Sequence, residues 1–215
     1  MLTAALWDIF IPAFVTFFVV IDPPGIAPVF AGLTEGTPAA HKRRMALRSA
    51  LVATAILGLF AFLGEPLLGA LGIGLDAFRA AGGVMLFMIA LEMVFEKRTE
   101  RRTHRAEKMV EDAHQAPDDI SVFPMGIPMI AGPGAIASIM LYMARYDGDW
   151  AARGMVLAAL VLTLVLTLAT LLAASALMRL MGKTLAHSIT RVFGVILAAL
   201  AAQLIFDAIR AAFFA

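Results

Sequence analysis

The sequence predicts an all-α membrane protein with six transmembrane helices, and three observations support this fold class. The chain of 215 residues is 61% hydrophobic and only 15% charged, with a mean hydropathy of +0.89, whereas soluble domains are about half apolar and a quarter charged. Six apolar segments, each long enough to cross a bilayer, are separated by polar or glycine-rich turns. Lysine and arginine are concentrated on alternate connections between these segments, which is typical of a multi-pass topology.

The first segment, from about residue 4 to 33, is apolar but interrupted in its middle by Asp22, Pro23, Pro24 and Gly25. Proline removes a backbone donor and pushes the preceding residue out of the helical region. Backbone groups freed in this way are tolerated at membrane depth only where protein buries them or a water-filled cavity solvates them. The stretch therefore predicts a broken helix beside a cavity, with a simple proline kink as the alternative.

The next two predicted spans cover about residues 45–68 and 77–95, with a glycine-rich turn between them. Residues 96–119 differ in kind, because they carry six basic and seven acidic side chains and few large apolar ones. This composition predicts a solvated linker that joins two halves of the protein and is partly helical through mixed-sign pairs.

The fourth segment, about 120–142, is again interrupted, here by the stretch Gly132–Gly134 with proline at its centre. The fifth segment, about 155–177, is uncharged, and the sixth covers about 192–212. Small residues repeat every four positions on the sixth segment, a stripe suited to close helix packing and compatible with a homodimer; they are Gly194, Ala198 and Ala202.

The distribution of basic residues predicts the orientation in the membrane. Thirteen lysines and arginines fall on the loop between spans one and two, the linker and the loop between spans five and six, while four fall on the opposite side. The positive-inside rule then places both termini outside the cytoplasm.

The two halves look like weak repeats: residues 1–95 and 120–215 each contain three spans, the first of which is broken. Because three is an odd number, the second half must be inserted upside down. Inverted repeats with interrupted helices in matching positions are typical of secondary transporters with the site at the repeat interface. The register of the repeat is not fixed by the sequence.

A helix that restarts at membrane depth exposes unpaired N–H groups and a positive dipole end, which can bind a carboxylate. Asp22 is the only carboxylate within the two breaks, and we expect it to bind a substrate ammonium group or a coupling H⁺ or Na⁺; a purely structural helix cap is the alternative. The candidate substrate-binding residues lie at and just after the breaks: Asp22, Pro23, Pro24, Gly25, Gly132, Pro133, Gly134, Ala135 and Ser138.

Several further polar residues have two interpretations each. Glu92 could act in gating or pair structurally with Arg48 or the linker, and its rough counterpart Gln203 could act in gating or bond across helices. Ser138 could line the site or bond back to its own helix. Local bonds of that kind are expected for Thr163, Thr167 and Thr170.

These residues resemble the MarC family of bacterial and archaeal membrane proteins over nearly the whole chain. The motifs that carry the resemblance occur in order on four spans: Asp22-Pro23-x-Gly25-x-x-Pro28, Arg79-x-x-Gly82-Gly83, Gly132-Pro133-Gly134-Ala135-Ile136 and Arg191-x-x-Gly194. The resemblance implies a six-span inner-membrane protein related to the LysE-type exporters. It also implies that small neutral amino acids such as glycine and alanine are candidate substrates.

The main functional hypothesis is therefore a secondary transporter of small neutral amino acids, and the alternative is an ion carrier or channel that uses the same half-helix ends. The chain has no cysteine and shows no paired carboxylates in facing spans or His-Glu-x-x-His motif, so we expect neither an enzyme nor a metal site. We expect no cofactor and no nucleotide or nucleic-acid partner, because neither a phosphate-binding loop nor a basic patch with aromatic residues is present.

Overall fold

The computed structural model describes residues 2–95, 97, 98, 101–104 and 119–214, with the side chains of 2–5, 181–184 and 214 left aside. The prediction of an all-helical membrane protein is confirmed. Within these residues, five helices are long and apolar enough to cross a membrane, and a bent pair of shorter helical segments raises the number to six if it counts as one span. The centre of the predicted linker, residues 105–118, lies outside the described residues.

The helices are named in chain order. The first half consists of α1 (Leu2–Ile21), α2 (Pro23–Leu33), α3 (Ala39–Ala70) and α4 (Leu75–Val94). In the second half, an irregular segment of π-type turns (Ser121–Ile130) leads into α5 (Pro133–Arg145), followed by α6 (Trp150–Leu172) and α7 (Ala174–Phe214). α3 and α7 are longer than the predicted second and sixth spans, which cover about residues 45–68 and 192–212.

One residue separates α1 from α2. Asp22 adopts a left-handed conformation with φ 59° and ψ 64°, which aspartate tolerates better than most residues because its short polar side chain bonds locally. The amide of Asp22 still donates to the Phe18 carbonyl at 2.9 Å, and the Asp22 carbonyl accepts from Ile26 at 3.1 Å. The two helices therefore meet without leaving the linking peptide unbonded.

The bend in the fourth segment has a different local cause. Phe123 and Ile127 are extended, at φ −137° and −129°, and each precedes a proline, which disfavours the helical conformation of the residue before it. Regular α-helix begins only at Pro133, after Gly132 in an extended conformation, and the two parts are bent by 56°.

The helices of the two halves pack on each other in a reciprocal pattern. α1 packs mainly on α6, while α3 packs on the irregular segment and α5, and the most extensive contact joins α4 to α7. Thus the second span of each half contacts the broken span of the other, and the third spans contact each other. Two halves related by an internal two-fold axis would pack in this way, although the inverted repeat itself stays a prediction.

The contact between α4 and α7 depends on glycines. A Cβ on Gly194 would lie 2.8 Å from Met93 Cβ and 3.0 Å from the Ala90 carbonyl oxygen, and a Cβ on Gly83 would lie 3.1 Å from the Ala201 carbonyl oxygen. The predicted small-residue stripe on the last span is therefore used, at Gly194, for packing within one chain. The homodimer stays a prediction.

Large apolar side chains cover the outer surface of the same helix pair. Val84 and Met88 on α4 are 50% and 60% exposed, and Val195 and Phe206 on α7 are 62% and 65% exposed. Exposed apolar side chains of this size are unfavourable in water and match the hydrocarbon of a bilayer.

Candidate functional site

A cavity of about 230 Å³ opens beside the start of α5, and three arginines from the linker line it. We call it the arginine cavity. Its lining residues are Val20, Ile89, Glu92, Arg98, Arg101, Arg102, Pro124, Pro128, Met129, Ile130, Gly132, Pro133, Gly134 and Ala135.

The N-terminus of α5 faces this cavity without a side-chain cap. The first backbone bond here joins the Ile136 amide to the Gly132 carbonyl at 3.0 Å. By helix geometry, the amides of Gly134 and Ala135 have no acceptor within α5, and Pro133 has no amide hydrogen at all. The positive end of a helix dipole and two donors are thus available on the wall of the cavity.

The start of α2 is arranged in the opposite way, because its own aspartate caps it. Asp22 Oδ1 accepts from the Gly25 amide at 3.2 Å and from the Thr190 hydroxyl at 3.1 Å. Its Oδ2 lies 3.4 Å from Arg102 Nη1, and the side chain is fully buried. A Cβ on Gly25 would stand 2.1 Å from Oδ2, so only glycine fits where the carboxylate folds back over the helix end.

Arg98 and Arg102 complete the polar contacts at this break. Arg98 donates to the Val20 carbonyl, and Arg102 Nη2 lies 3.4 Å from the Ile21 carbonyl. These are among the last carbonyls of α1, which receive no hydrogen bond from an amide of their own helix and therefore favour a cation. The arginines therefore satisfy the C-terminal end of α1, while Asp22 satisfies the N-terminal end of α2.

Burial lowers the pKa values of both arginines from the ordinary value of the guanidinium group. Burial and the positive charge of Arg102 together lower the pKa of Arg98 to about 9, against the opposing effect of Asp22 and Glu92. Burial likewise lowers the pKa of Arg102, again against the two carboxylates. A pKa near 9 still leaves the Arg98 guanidinium protonated at pH 7, so the arginine cavity carries a net positive charge.

The expectation of a wholly solvated linker is wrong at these positions: Arg98 is 8% exposed and the Arg102 side chain 13%. One sequence signal could have found them, since positions 98, 101 and 102 share one face of a helix. Thr190, the buried third partner of Asp22, had no comparable signal, because 168 residues separate the two.

Glu92 lines the arginine cavity and forms an ion pair with Arg101. Of the two partners considered for Glu92, the structure therefore gives the linker, while Arg48 pairs with Asp119 instead. The prediction that Gln203 bonds across helices is wrong. Its amide donates to Asp207 Oδ1 at 2.8 Å one turn along α7, where the acceptor is already within reach.

A second cavity of about 200 Å³, which we call the distal cavity, lies one turn further along α5. Ser138 lies on its wall, and its hydroxyl donates to the Gly134 carbonyl at 2.8 Å, the back-bond considered from the sequence. Local bonds are confirmed for the threonines of α6, each of which donates to the carbonyl four residues before it: Thr163, Thr167 and Thr170.

The structure thus divides the candidate substrate-binding residues. Gly132, Pro133, Gly134 and Ala135 line the arginine cavity, and Ser138 lines the distal one. The four residues of the first break form the α1–α2 junction instead, and reach the arginine cavity only indirectly, through the contact between Asp22 and Arg102.

Comparison with known proteins identifies the family. The model of the MarC family of integral membrane proteins matches residues 7–213. A UPF0056 membrane protein of Methanocaldococcus jannaschii is 39% identical over 203 residues, which cover 94% of this chain and 97% of the relative.

Two further relatives come from Escherichia coli. The UPF0056 membrane protein YhcE is 31% identical, with 96% of this chain and 94% of the relative covered. The UPF0056 inner membrane protein YhgN is 29% identical, with 93% and 95% covered. No solved structure matches the chain. The chain therefore belongs to the MarC family of integral membrane proteins.

Proposed function

We propose that the protein is a secondary transporter of small neutral amino acids such as glycine and alanine, and that the arginine cavity binds them. The observation that carries the proposal is the uncapped N-terminus of α5, which opens on a cavity lined by three arginines and one carboxylate. Membership of a family of integral membrane proteins makes a transport-type role plausible.

The chemistry of the cavity suits a zwitterion. The amides of Gly134 and Ala135 and the Arg98 guanidinium offer donors for a carboxylate. Glu92 offers a carboxylate for an ammonium group, and Arg101, its present partner, is 63% exposed and can turn into solvent. In this arrangement Glu92 takes the ammonium-binding role that the sequence suggested for Asp22.

The size of the cavity favours a small solute. Drug-sized ligands usually occupy pockets of roughly 300–1,000 Å³, whereas the arginine cavity measures about 230 Å³. A solute with a short side chain, or none, fits this space best.

Asp22 is well placed to couple a cation to substrate binding. Its carboxylate holds Arg102, which lines the cavity, at 3.4 Å. A proton or Na⁺ bound by Asp22 would neutralise this carboxylate and release Arg102 toward the carboxylate of the substrate. Cation and substrate would then bind together, as coupled transport requires.

The alternative function is an ion carrier or channel that uses the same half-helix end. Three arginines against one glutamate favour a small anion over Na⁺ in this cavity. Ungated conductance of chloride, without saturable amino acid flux, would support the alternative.

We place the protein in the inner membrane with both termini outside the cytoplasm. The ion pair between Arg48 and Asp119 joins the two connections that carry most of the basic residues. At the sparsely basic connections, Arg153 joins Glu65 at 2.7 Å and Asp147 at 2.8 Å. These contacts agree with the alternation on which the positive-inside argument rests.

The test is uptake of radiolabelled glycine and alanine into proteoliposomes under imposed H⁺ or Na⁺ gradients. We expect saturable uptake, inhibited by the unlabelled amino acid more strongly than by acetate or glycinamide, which each lack one of the two charges. Arg98→Gln removes a charged donor, and should raise KM by about tenfold, the equivalent of about 1.4 kcal/mol.

Arg210→Gln is the matched control, because Arg210 is exposed on α7 and is not part of the wall of either cavity. We expect its KM to equal that of the unmodified protein. Absence of saturable flux under every gradient, with well-folded protein, would contradict the proposal.

A further inference from the structure

The distal cavity repeats the charge pattern of the arginine cavity. Two arginines, Arg79 and Arg145, and one carboxylate, Asp207, line it. Arg79 forms an ion pair with Asp76 at 2.9 Å, Arg145 lies over the Tyr146 ring, and Asp207 accepts from the Gln203 amide at 2.8 Å. Both cavities therefore offer more guanidinium groups than carboxylates around a small volume.

The two cavities meet at a thin apolar layer, which we call the septum. Along α4, Leu86 lines the distal cavity and Ile89 lines the arginine cavity; along α5, Ser138 and Ala135 do the same. Each pair is three residues apart. At a rise of about 1.5 Å per residue, the layer between the cavities is about one helical turn thick.

Gly134 lies on the side of this septum that faces the arginine cavity. A Cβ there would stand 2.6 Å from Ile89 Cδ1, 3.1 Å from Val20 Cγ1 and 3.5 Å from Leu86 Cδ2. Side chains of α1 and α4 thus close directly on the backbone of α5, at the helix start where the arginine cavity ends. The three side chains that close on Gly134 are apolar, so none of them can bind an ion or a zwitterion as it crosses.

We propose that the distal cavity is the second half of the transport path, that it takes the same carboxylate-bearing zwitterion, and that the septum of Val20, Leu86 and Ile89 on Gly134 is the closed gate. This inference rests on the proposed function. Arg79 and Arg145 receive the carboxylate and Asp207 the ammonium group on the distal side. Movement of α5 away from α4 opens the septum, which Gly134 permits because no side chain interlocks there.

Thiol labelling tests the path without any transported solute. The chain has no cysteine, so single thiols can be introduced as Pro133→Cys in the arginine cavity and Leu204→Cys in the distal cavity. The probe is a membrane-impermeant sulfonatoethyl methanethiosulfonate, applied to sealed vesicles of either orientation. We expect each thiol to react from one face only, and the two thiols to react from opposite faces.

The gate is tested by adding Leu86→Ala and Ile89→Ala to the Pro133→Cys protein. Removing these side chains weakens the closed septum, so labelling from the far face should rise by about tenfold or more. Because Leu86 is fully buried, Ile89→Ala alone is the milder second variant. Leu57→Ala, a buried leucine of α3 outside both cavities, is the control and should leave far-face labelling unchanged.

The outcomes separate this inference from the proposed function. Labelling of both thiols from one face, or unchanged far-face labelling in a folded Ile89→Ala protein, would overturn the gate whatever the uptake assay gives. Alternatively, the two thiols label from opposite faces in the parent protein, and from both faces once the septum side chains are removed, while glycine uptake is absent. That result would support the path and reject only the amino acid as its solute.

Discussion

Asp22→Asn is the substitution that most directly tests how the broken first span is held. Asparagine keeps the shape of the side chain and can still accept from the Gly25 amide and the Thr190 hydroxyl. It removes the charge, however, and leaves Arg102 without the carboxylate at 3.4 Å. The change therefore isolates the electrostatic part of the cluster.

The expected cost follows from these contacts. Breaking a buried ion pair by removing one partner costs about 3–5 kcal/mol, but the Arg102 contact is long and its side chain is 13% exposed. We therefore expect the lower end, about 3 kcal/mol. Thr190→Val removes one hydrogen bond to a charged acceptor, which is worth about 1.5–3 kcal/mol.

Because both substitutions act on one carboxylate, their effects should not add. Hydrogen bonds to a neutral acceptor are about half as strong, so Thr190→Val should cost less in the Asp22→Asn background, with a coupling energy of about 1 kcal/mol.

The free energy of unfolding can be measured in mixed detergent micelles titrated with dodecyl sulfate, with Trp7 and Trp150 as fluorescent reporters. A loss below about 1 kcal/mol for Asp22→Asn would mean that the ion pair does not stabilise the fold. Strict additivity of the two substitutions would refute the shared-carboxylate geometry.

Two glycine substitutions give further predictions with built-in controls. Gly25→Ala places a Cβ 2.1 Å from Asp22 Oδ2, and should cost about 1–3 kcal/mol in the same unfolding assay through overpacking and a weakened cap; Gly32→Ala on the same helix has nothing within 4 Å and should be neutral or stabilising. Gly194→Ala should likewise cost about 1–3 kcal/mol by separating α7 from α4. Its control is Gly58→Ala, which also lies in open space and should have no such cost. If a variant and its control lowered the free energy of unfolding equally, the packing described at that glycine would be contradicted.

Local chemistry made part of this structure predictable. Proline and glycine act on their immediate neighbours, and two helices of the structure, α2 and α5, begin at prolines of the predicted interruptions, Pro23 and Pro133. The back-bond of Ser138 and those of the threonines on α6 also join residues four apart, within reach of any helical serine or threonine.

Contacts between distant residues were not predictable in the same way. Arg98 meets Val20 across 78 residues and Arg102 meets Asp22 across 80. Positions 98, 101 and 102 share one helix face, but the sequence does not indicate what that face packs against. Mixed composition therefore hid two buried guanidinium groups inside a segment that looked solvated throughout. The prediction for Gln203 was wrong for the opposite reason. Its amide bonds to a nearby acceptor on its own helix, Asp207, and not to a partner on another helix.

The capping of the α1–α2 junction has a consequence for biogenesis. During synthesis the first span leaves the ribosome long before its partners, since Arg102 is made 80 residues after Asp22 and Thr190 is made 168 residues after it. Until then the Asp22 carboxylate has only the Gly25 amide of its own span as a partner, and the last carbonyls of α1 lack the arginines that bind them later; hydrocarbon would penalise both. The newly inserted first span must therefore keep Asp22 in contact with water or the insertion machinery, and only the arrival of the sixth span seals it into the bilayer.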